Sequence, residues 1–208
     1  MALHQESIEF RSRVDVPLPG WVCFLTGPAG VALSFFWGIA EGTLFFIVPD
    51  VGLSFVAVFS PRRVWRHILA ATLGAVCAGA LLYAWAARNP LAAHSTVARV
   101  PFTSARMFAE VESGYVRHGI GAVFLGPLSG IPYKIYAIDA PKHFGMAEFL
   151  VATAPARAWR FILVSALAGI IAAWLRRRWH KNDLQLMAIH LVSWTVFYIF
   201  YWARIALS

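Results

Sequence analysis

The chain has 208 residues, of which 60% are hydrophobic and 13% charged, and its mean hydropathy is +0.65. The length fits one domain, and the composition excludes an ordinary water-soluble enzyme. A net charge of +8 does not point to nucleic acid here, because the basic residues gather at the ends of apolar segments, as they do in cytoplasmic loops of membrane proteins.

In chain order, residues 1–20 carry Glu6, Glu9, Arg11, Arg13 and Asp15 without a cleavable signal pattern, and read as a short cytoplasmic tail. Trp21 to Phe59 is apolar but broken by Gly27, Pro28, Gly30, Gly38, Gly42, Pro49 and Gly52, with Glu41 and Asp50 inside it. His67 to Ala87 is a clean span, since about twenty apolar residues cross a bilayer core as a helix. Asn89 to His118 is a polar connector with a helical pattern through Phe102, Arg106, Phe108, Glu110, Val111 and Tyr115, and reads as an amphipathic surface helix. Gly119 to Ala140 is a second broken apolar stretch, carrying Lys134 and Asp139 among its glycines and prolines. Trp159 to Leu175 and Leu184 to Ala203 are the remaining clean spans. Both broken stretches read as re-entrant hairpins, because irregular backbone at membrane depth survives only where protein or a wet cavity satisfies it. Cys23 and Cys77 form no disulfide framework or metal-ligand spacing, so no metal or other cofactor is expected.

Pro61-Arg62-Arg63-Val64-Trp65-Arg66-His67-Ile68-Leu69 and Pro155-Ala156-Arg157-Ala158-Trp159-Arg160-Phe161-Ile162-Leu163 agree at six of nine positions. Each follows a broken stretch and opens a span. The expected fold is therefore an all-α polytopic membrane protein, an inverted repeat of re-entrant hairpin plus transmembrane helix with an extra C-terminal transmembrane helix. Its units are a first repeat over 21–87, a connector over 88–118, a second repeat over 119–179 and a last span over 184–204. Basic turns at Arg62, Arg63 and Arg66 and at Arg176 to Lys181 place those ends in the cytoplasm.

Glu41 stands in an apolar run with no base within a turn, so it needs a wet cavity, a distant cation or a proton. Asp50 is the second acid of that hairpin, and the two are the candidate proton-coupling residues. Arg63 with Arg66, and Arg157 with Arg160, are spaced i, i+3 on one helix face, and the planar guanidinium suits phosphate. Two such pairs flanking one cavity, with Lys134 and its neighbour Tyr133, make the candidate lipid-phosphate site. The competing reading of Arg63 and Arg66 is that they anchor a cytoplasmic turn.

Gly119 to Ala137, with Gly126-Pro127 and Gly130-Ile131-Pro132-Tyr133-Lys134, together with the acidic first hairpin, resembles the DedA family of SNARE-associated or VTT-domain membrane proteins over roughly Gly30 to Leu175. The resemblance implies a multi-pass protein of the bacterial inner membrane that moves a polyprenyl phosphate or phospholipid across the bilayer, coupled to protons, with Glu41 and Asp50 matching the family's hairpin acids. Lys134 matches the arginine after the family's proline. Many relatives have a second arginine where this chain has Gly126-Pro127, and Arg157 or Arg160 would substitute for it. The expected partners are membrane lipids, an anionic lipid substrate and protons, with no nucleic acid; homo-oligomerisation stays open. The alternatives are an uncoupled lipid scramblase, which needs the cavity and its cations but no proton, and an intramembrane hydrolase, which would need Ser129 and His190 within hydrogen-bond reach.

Overall fold

The computed structural model describes residues 19–206 other than Leu44 and Lys181, so all but the last two residues of the tail read over residues 1–20, and Lys181, lie outside the described residues. The described residues form helices and turns, with no strand among them. We number the helices α1 (Gly20–Thr26), α2 (Pro28–Thr43), α3 (Asp50–Phe59), α4 (Val64–Arg88), α5 (Pro90–Val97), α6 (Ala105–His118), α7 (Ala122–Ser129), α8 (Tyr133–Asp139), α9 (Met146–Trp179) and α10 (Asp183–Ala206). Two short 3₁₀ turns, Gly119–Gly121 and Ala140–Lys142, flank α7 and α8.

Three helices, α4, α9 and α10, are long and apolar enough to cross a membrane. The bent pair α1 and α2, with 56° between them, makes a fourth span if counted as one. The bend falls at Gly27, where a Cβ would lie 2.8 Å from the Cys23 carbonyl oxygen, followed by Pro28 at the helix start. At ten residues, α3 is only about 15 Å long and cannot cross alone. The connector holds two helices rather than one. Asn89 caps α5 by accepting from the Ala92 N–H, and α6 is the amphipathic element, burying Val111 and Tyr115.

The second full span differs from the sequence expectation. Its helix begins at Met146, not near Trp159, and Pro155 lies inside it. Proline lacks the N–H that would reach the Val151 carbonyl, but the helix continues on both sides of this one missing bond. Over 34 residues α9 is about 51 Å long, well beyond a bilayer core of about 30 Å.

Half of the apolar window of α4 is buried, against 11% for α10, which makes α4 the central helix and α10 a peripheral one. Helix α4 carries the principal core, joining α5, α6, α8 and the start of α9 through Leu82, Val97, Val111, Ile135 and Phe149. Its other long contact is with α2, where the backbones nearly touch: a Cβ on Gly38 would lie 2.3 Å from the Ala71 oxygen, and one on Gly74 2.1 Å from the Phe35 oxygen. Small residues at such a crossing let helices without a hydrophobic driving force between them gain dispersion contacts.

Gly74→Ala is expected to push α2 off α4 and destabilise the protein by about 1–3 kcal/mol. Gly114→Ala, whose Cβ would meet only the Ala122 methyl at 3.6 Å, is the control and should not destabilise it. Thermal unfolding in detergent reads both, and equal melting temperatures for the two variants would contradict the packing account.

Candidate functional site

The chain is non-helical from Phe45 to Pro49, and an unpaired backbone group there costs several kcal/mol if it faces hydrocarbon. Side chains from three helices supply partners. Lys134 of α8 donates Nζ–H to the Phe45 carbonyl at 2.8 Å, Trp37 of α2 donates to the Ile47 carbonyl at 2.9 Å, and the Val48 N–H donates to the Tyr198 hydroxyl of α10 at 2.9 Å. Glu41 and Asp50 sit at either edge of the break, on α2 and α3.

The break between α7 and α8 is shorter. Gly130 adopts a left-handed φ of 75°, its carbonyl accepts from the Tyr201 hydroxyl at 3.0 Å, and the Ile131 N–H donates to Ser129 Oγ at 3.3 Å. Helix α10 therefore reaches both breaks, through tyrosines one turn apart.

Arg157 and Arg160 of α9 project from one face onto the two acids. Arg157 Nη2 lies 2.5 Å from Glu41 Oε2, and Arg160 Nη2 lies 2.7 Å from Asp50 Oδ2. Glu41, Asp50, Lys134 and Arg157 are each no more than 5% exposed. The guanidinium of Arg157 is sandwiched by aromatic rings, 5.2 Å from the Tyr133 centroid and 5.0 Å from that of Phe161. Tyr133 is in turn fixed by its hydroxyl on Thr153 Oγ1 at 3.1 Å, and it lies so close to α4 that a Cβ on Gly79 would fall 2.0 Å from its oxygen. Asp50 Oδ1 and Arg157 Nε have no hydrogen-bond partner among the described residues, so each ion pair is made through one oxygen and one nitrogen and retains bonding capacity.

These groups line or back a cavity of about 560 Å³, bounded by Glu41, Asp50, Lys134, Tyr133, Arg160, Tyr198 and Tyr201. Arg106 and Glu110 of α6, paired with each other at 2.6 Å and solvent-exposed, also border it. The Phe102 ring stacks on Trp202 at 5.0 Å and meets Phe46 edge-on at 5.8 Å. Phe102 takes a φ of 67°, a conformation costing a non-glycine residue about 1–3 kcal/mol, which the aromatic contacts offset. In formal charge the centre holds three cations (Lys134, Arg157, Arg160) and two anions (Glu41, Asp50), a surplus of one positive charge.

Five of the residues singled out from the sequence for the anion and proton roles, Glu41, Asp50, Lys134, Arg157 and Arg160, thus meet at one centre, with Tyr133 against Arg157. Arg63 and Arg66 do not join them, which corrects the expectation of two arginine pairs around one cavity. Pro61 stands in the turn before α4, so the arginines after it are exposed at the helix start and border a separate cleft; Pro155 stands nine residues into α9, which carries its arginines to the depth of the acids. Asp139 also stays outside the cavity, pairing with Lys142 at 2.5 Å and approaching His143 at 3.4 Å; this contact holds the Lys142 ammonium above its usual range. The Ser129–His190 pair does not form. Ser129 donates to the Gly126 carbonyl at 2.9 Å, whereas His190 meets Ser54 Oγ at 2.9 Å.

The sequence reading missed the role of α10. Ser54 spends its proton on carbonyls of its own helix, Asp50 O at 2.6 Å being the nearer, so His190 Nε2–H and Trp194 Nε1–H both donate to it and tie α10 to the helix carrying Asp50. A titratable His190 in the middle of a largely apolar span was the available signal.

Removing one member of a buried ion pair strands the other, at about 3–5 kcal/mol. Arg157→Met is expected to lower stability by that amount, and Glu41→Gln/Arg157→Met to recover most of it, measured by denaturant unfolding in detergent. Strictly additive losses would mean that the two side chains do not interact.

Comparison with protein-family models, curated proteins and solved structures finds no match for this chain. Its function is read from the geometry above.

Proposed function

We propose that the protein is a membrane carrier for an anionic, phosphate-bearing lipid, a polyprenyl phosphate or a phospholipid, with transport coupled to protons through Glu41 and Asp50. On this reading the two broken segments are re-entrant, related as inverted repeats, and meet in the wet cavity, in the manner of the DedA-like proteins the sequence resembles, and the setting is a bacterial inner membrane. The observation that carries the reading is the Glu41–Arg157 contact, 2.5 Å between two interrupted halves of the molecule, with Arg160–Asp50 one turn along and Lys134 beside them.

Charge balance gives the cycle. With both acids ionised the centre carries one excess positive charge, but Glu41 and Asp50 occupy the guanidinium groups that a phosphate needs. When Glu41 takes up a proton, Arg157 loses its counter-ion, the excess becomes two, and the freed guanidinium takes a phosphate instead. Carboxylate and phosphate therefore compete for the same guanidinium fork, and a proton on Glu41 decides between them. Substrate enters as Glu41 is protonated and leaves as it is deprotonated, which ties lipid movement to proton movement. The acyl or prenyl tail need not enter the cavity, since the exposed apolar faces of α9 and α10 lie beside it.

Reconstitution into proteoliposomes with a fluorescent or radiolabelled lipid phosphate tests this. Wild-type transport should slow about tenfold when the pH gradient is collapsed, Glu41→Gln should lose its dependence on pH, and Arg160→Ala should weaken substrate binding by about tenfold or more. Transport that ignores the gradient in the wild type would instead identify an uncoupled scramblase, and lipid movement that survives Arg160→Ala unchanged would remove this cavity from the pathway.

A further inference from the structure

A second cleft, of about 480 Å³, lies apart from the charged cavity, where α1, α2 and the start of α4 converge. It is lined by Thr26, Gly27, Pro28, Arg63, Arg66 and His67. Three features of its wall suit an anion. Helix α2 starts there at Pro28, and its first intrahelical-type bond is Val31 N–H to the Gly27 carbonyl at 3.1 Å, so the Ala29 and Gly30 N–H groups belong to the first turn, which has no helical acceptors. Arg63 and Arg66 add two guanidinium groups, exposed and therefore free to turn toward a ligand; Arg66 rests over the Trp65 ring at 5.4 Å.

The third feature is independent of these. His67 is 1% exposed, lines the cleft, and its Nε2 has no hydrogen-bond partner among the described residues. Its tautomer follows from its neighbour. Ser34 donates its one hydroxyl proton to the Gly30 carbonyl at 2.9 Å, so its contact with His67 Nδ1 at 3.1 Å requires Nδ1–H as donor. In the neutral ring Nε2 is then a bare acceptor in a cationic cleft. A fully ionised anion would meet it lone pair to lone pair; an anion carrying a P–OH group would donate to it.

We infer that this cleft is a binding site for a phosphate monoester group, held by Arg63 and Arg66 at the N-terminus of α2 and recognised by a proton shared between a phosphate oxygen and His67 Nε2. Phosphodiesters, which have no P–OH, fit it less well. The ligand is either the headgroup of a lipid monoester or free phosphate. Trp21, Phe24 and Trp65, exposed beside these elements, form an apolar aromatic border of the kind that sits at a membrane interface. The inference stands without the carrier reading, because neither its residues nor its cleft are shared with the Glu41–Arg157 centre.

The test uses the full chain in neutral-lipid nanodiscs, titrated calorimetrically with inorganic phosphate, short-chain phosphatidic acid and short-chain phosphatidylglycerol. Wild-type protein should bind a monoester more tightly than the diester, and Arg63→Ala/Arg66→Ala, changed only at exposed positions, should weaken monoester binding about tenfold or more. His67→Gln should erase the preference for monoester over diester. Arg160→Ala should leave monoester binding at the cleft in place. Binding of inorganic phosphate would show that the headgroup suffices, whereas binding of phosphatidic acid alone would identify a lipid ligand; both support the site. No binding of inorganic phosphate or phosphatidic acid, or phosphatidic acid binding unchanged in Arg63→Ala/Arg66→Ala and lost in Arg160→Ala, would overturn it. If His67→Gln fails to fold, the double arginine variant still decides.

Discussion

A carboxylate in the middle of an apolar segment needs a counter-charge, and the fold is arranged around supplying one to Glu41. The charge comes from Arg157, 116 residues away and on a different helix, at 2.5 Å. For that contact to exist, α2 must lie against α4 closely enough to bring Glu41 inward, which the facing glycines Gly38 and Gly74 permit. Helix α9 must also continue through Pro155, since a helix beginning at Trp159 would not present Arg157 on a helical face at all. The core around Tyr133 and Phe149 then fixes the guanidinium from the other side. Packing, helix continuity and charge are consequences of one requirement.

Buried ion pairs are weak evidence for stability, because the desolvation of both partners offsets most of their attraction. Here the buried Arg157–Glu41 pair is joined within one turn of α9 by the Arg160–Asp50 pair, whose arginine is half-buried, and a third cation, Lys134, has a backbone carbonyl rather than a carboxylate as its partner. A purely structural cluster would gain by closing its charges to neutrality, or by being replaced with apolar side chains of similar volume. This one keeps a surplus positive charge, unpaired capacity on Asp50 Oδ1 and Arg157 Nε, and an adjoining cavity. Those three features together favour a site that exchanges anions over one that only holds helices together.

How much of this was legible from sequence follows from what each residue's neighbours could disclose. Glu41 was conspicuous because a bare acid in an apolar run is costly, and Arg157 and Arg160 because they recur in a repeated motif. Their pairing was not legible, since contacts across more than a hundred residues leave no local trace. The same repeat misled for Arg63 and Arg66: identical spacing after a proline means a helix start in one copy and a helix interior in the other, and only the preceding residues, Met146 to Ala154, six of which (Met, Glu, Leu and three Ala) favour helix, could have distinguished them. Tyr201 and Trp202 stand in the sequence only as two more aromatic residues of the last span, and their hydrogen bond and stacking at the cavity edge are tertiary facts.

The weakest-packed long helix holds both breaks. Helix α10 buries 11% of its apolar window, yet it meets the first broken segment through Tyr198 and the second through Tyr201, and it ties itself to the Asp50 helix through His190 and Trp194. A net hydrogen bond contributes about 1 kcal/mol, so a few of them fasten α10 only modestly. The dense α2–α4 contact, with backbones at van der Waals distance, is not similarly free to part. Within the carrier reading, then, the halves of the molecule that exchange anions are separated most cheaply along α10. Alternation of access is easier by loosening this helix from the two breaks than by rocking α2 against α4, and the strained Phe102, stacked on Trp202 of that helix, favours the looser arrangement by returning its φ to the common region once the stack is broken.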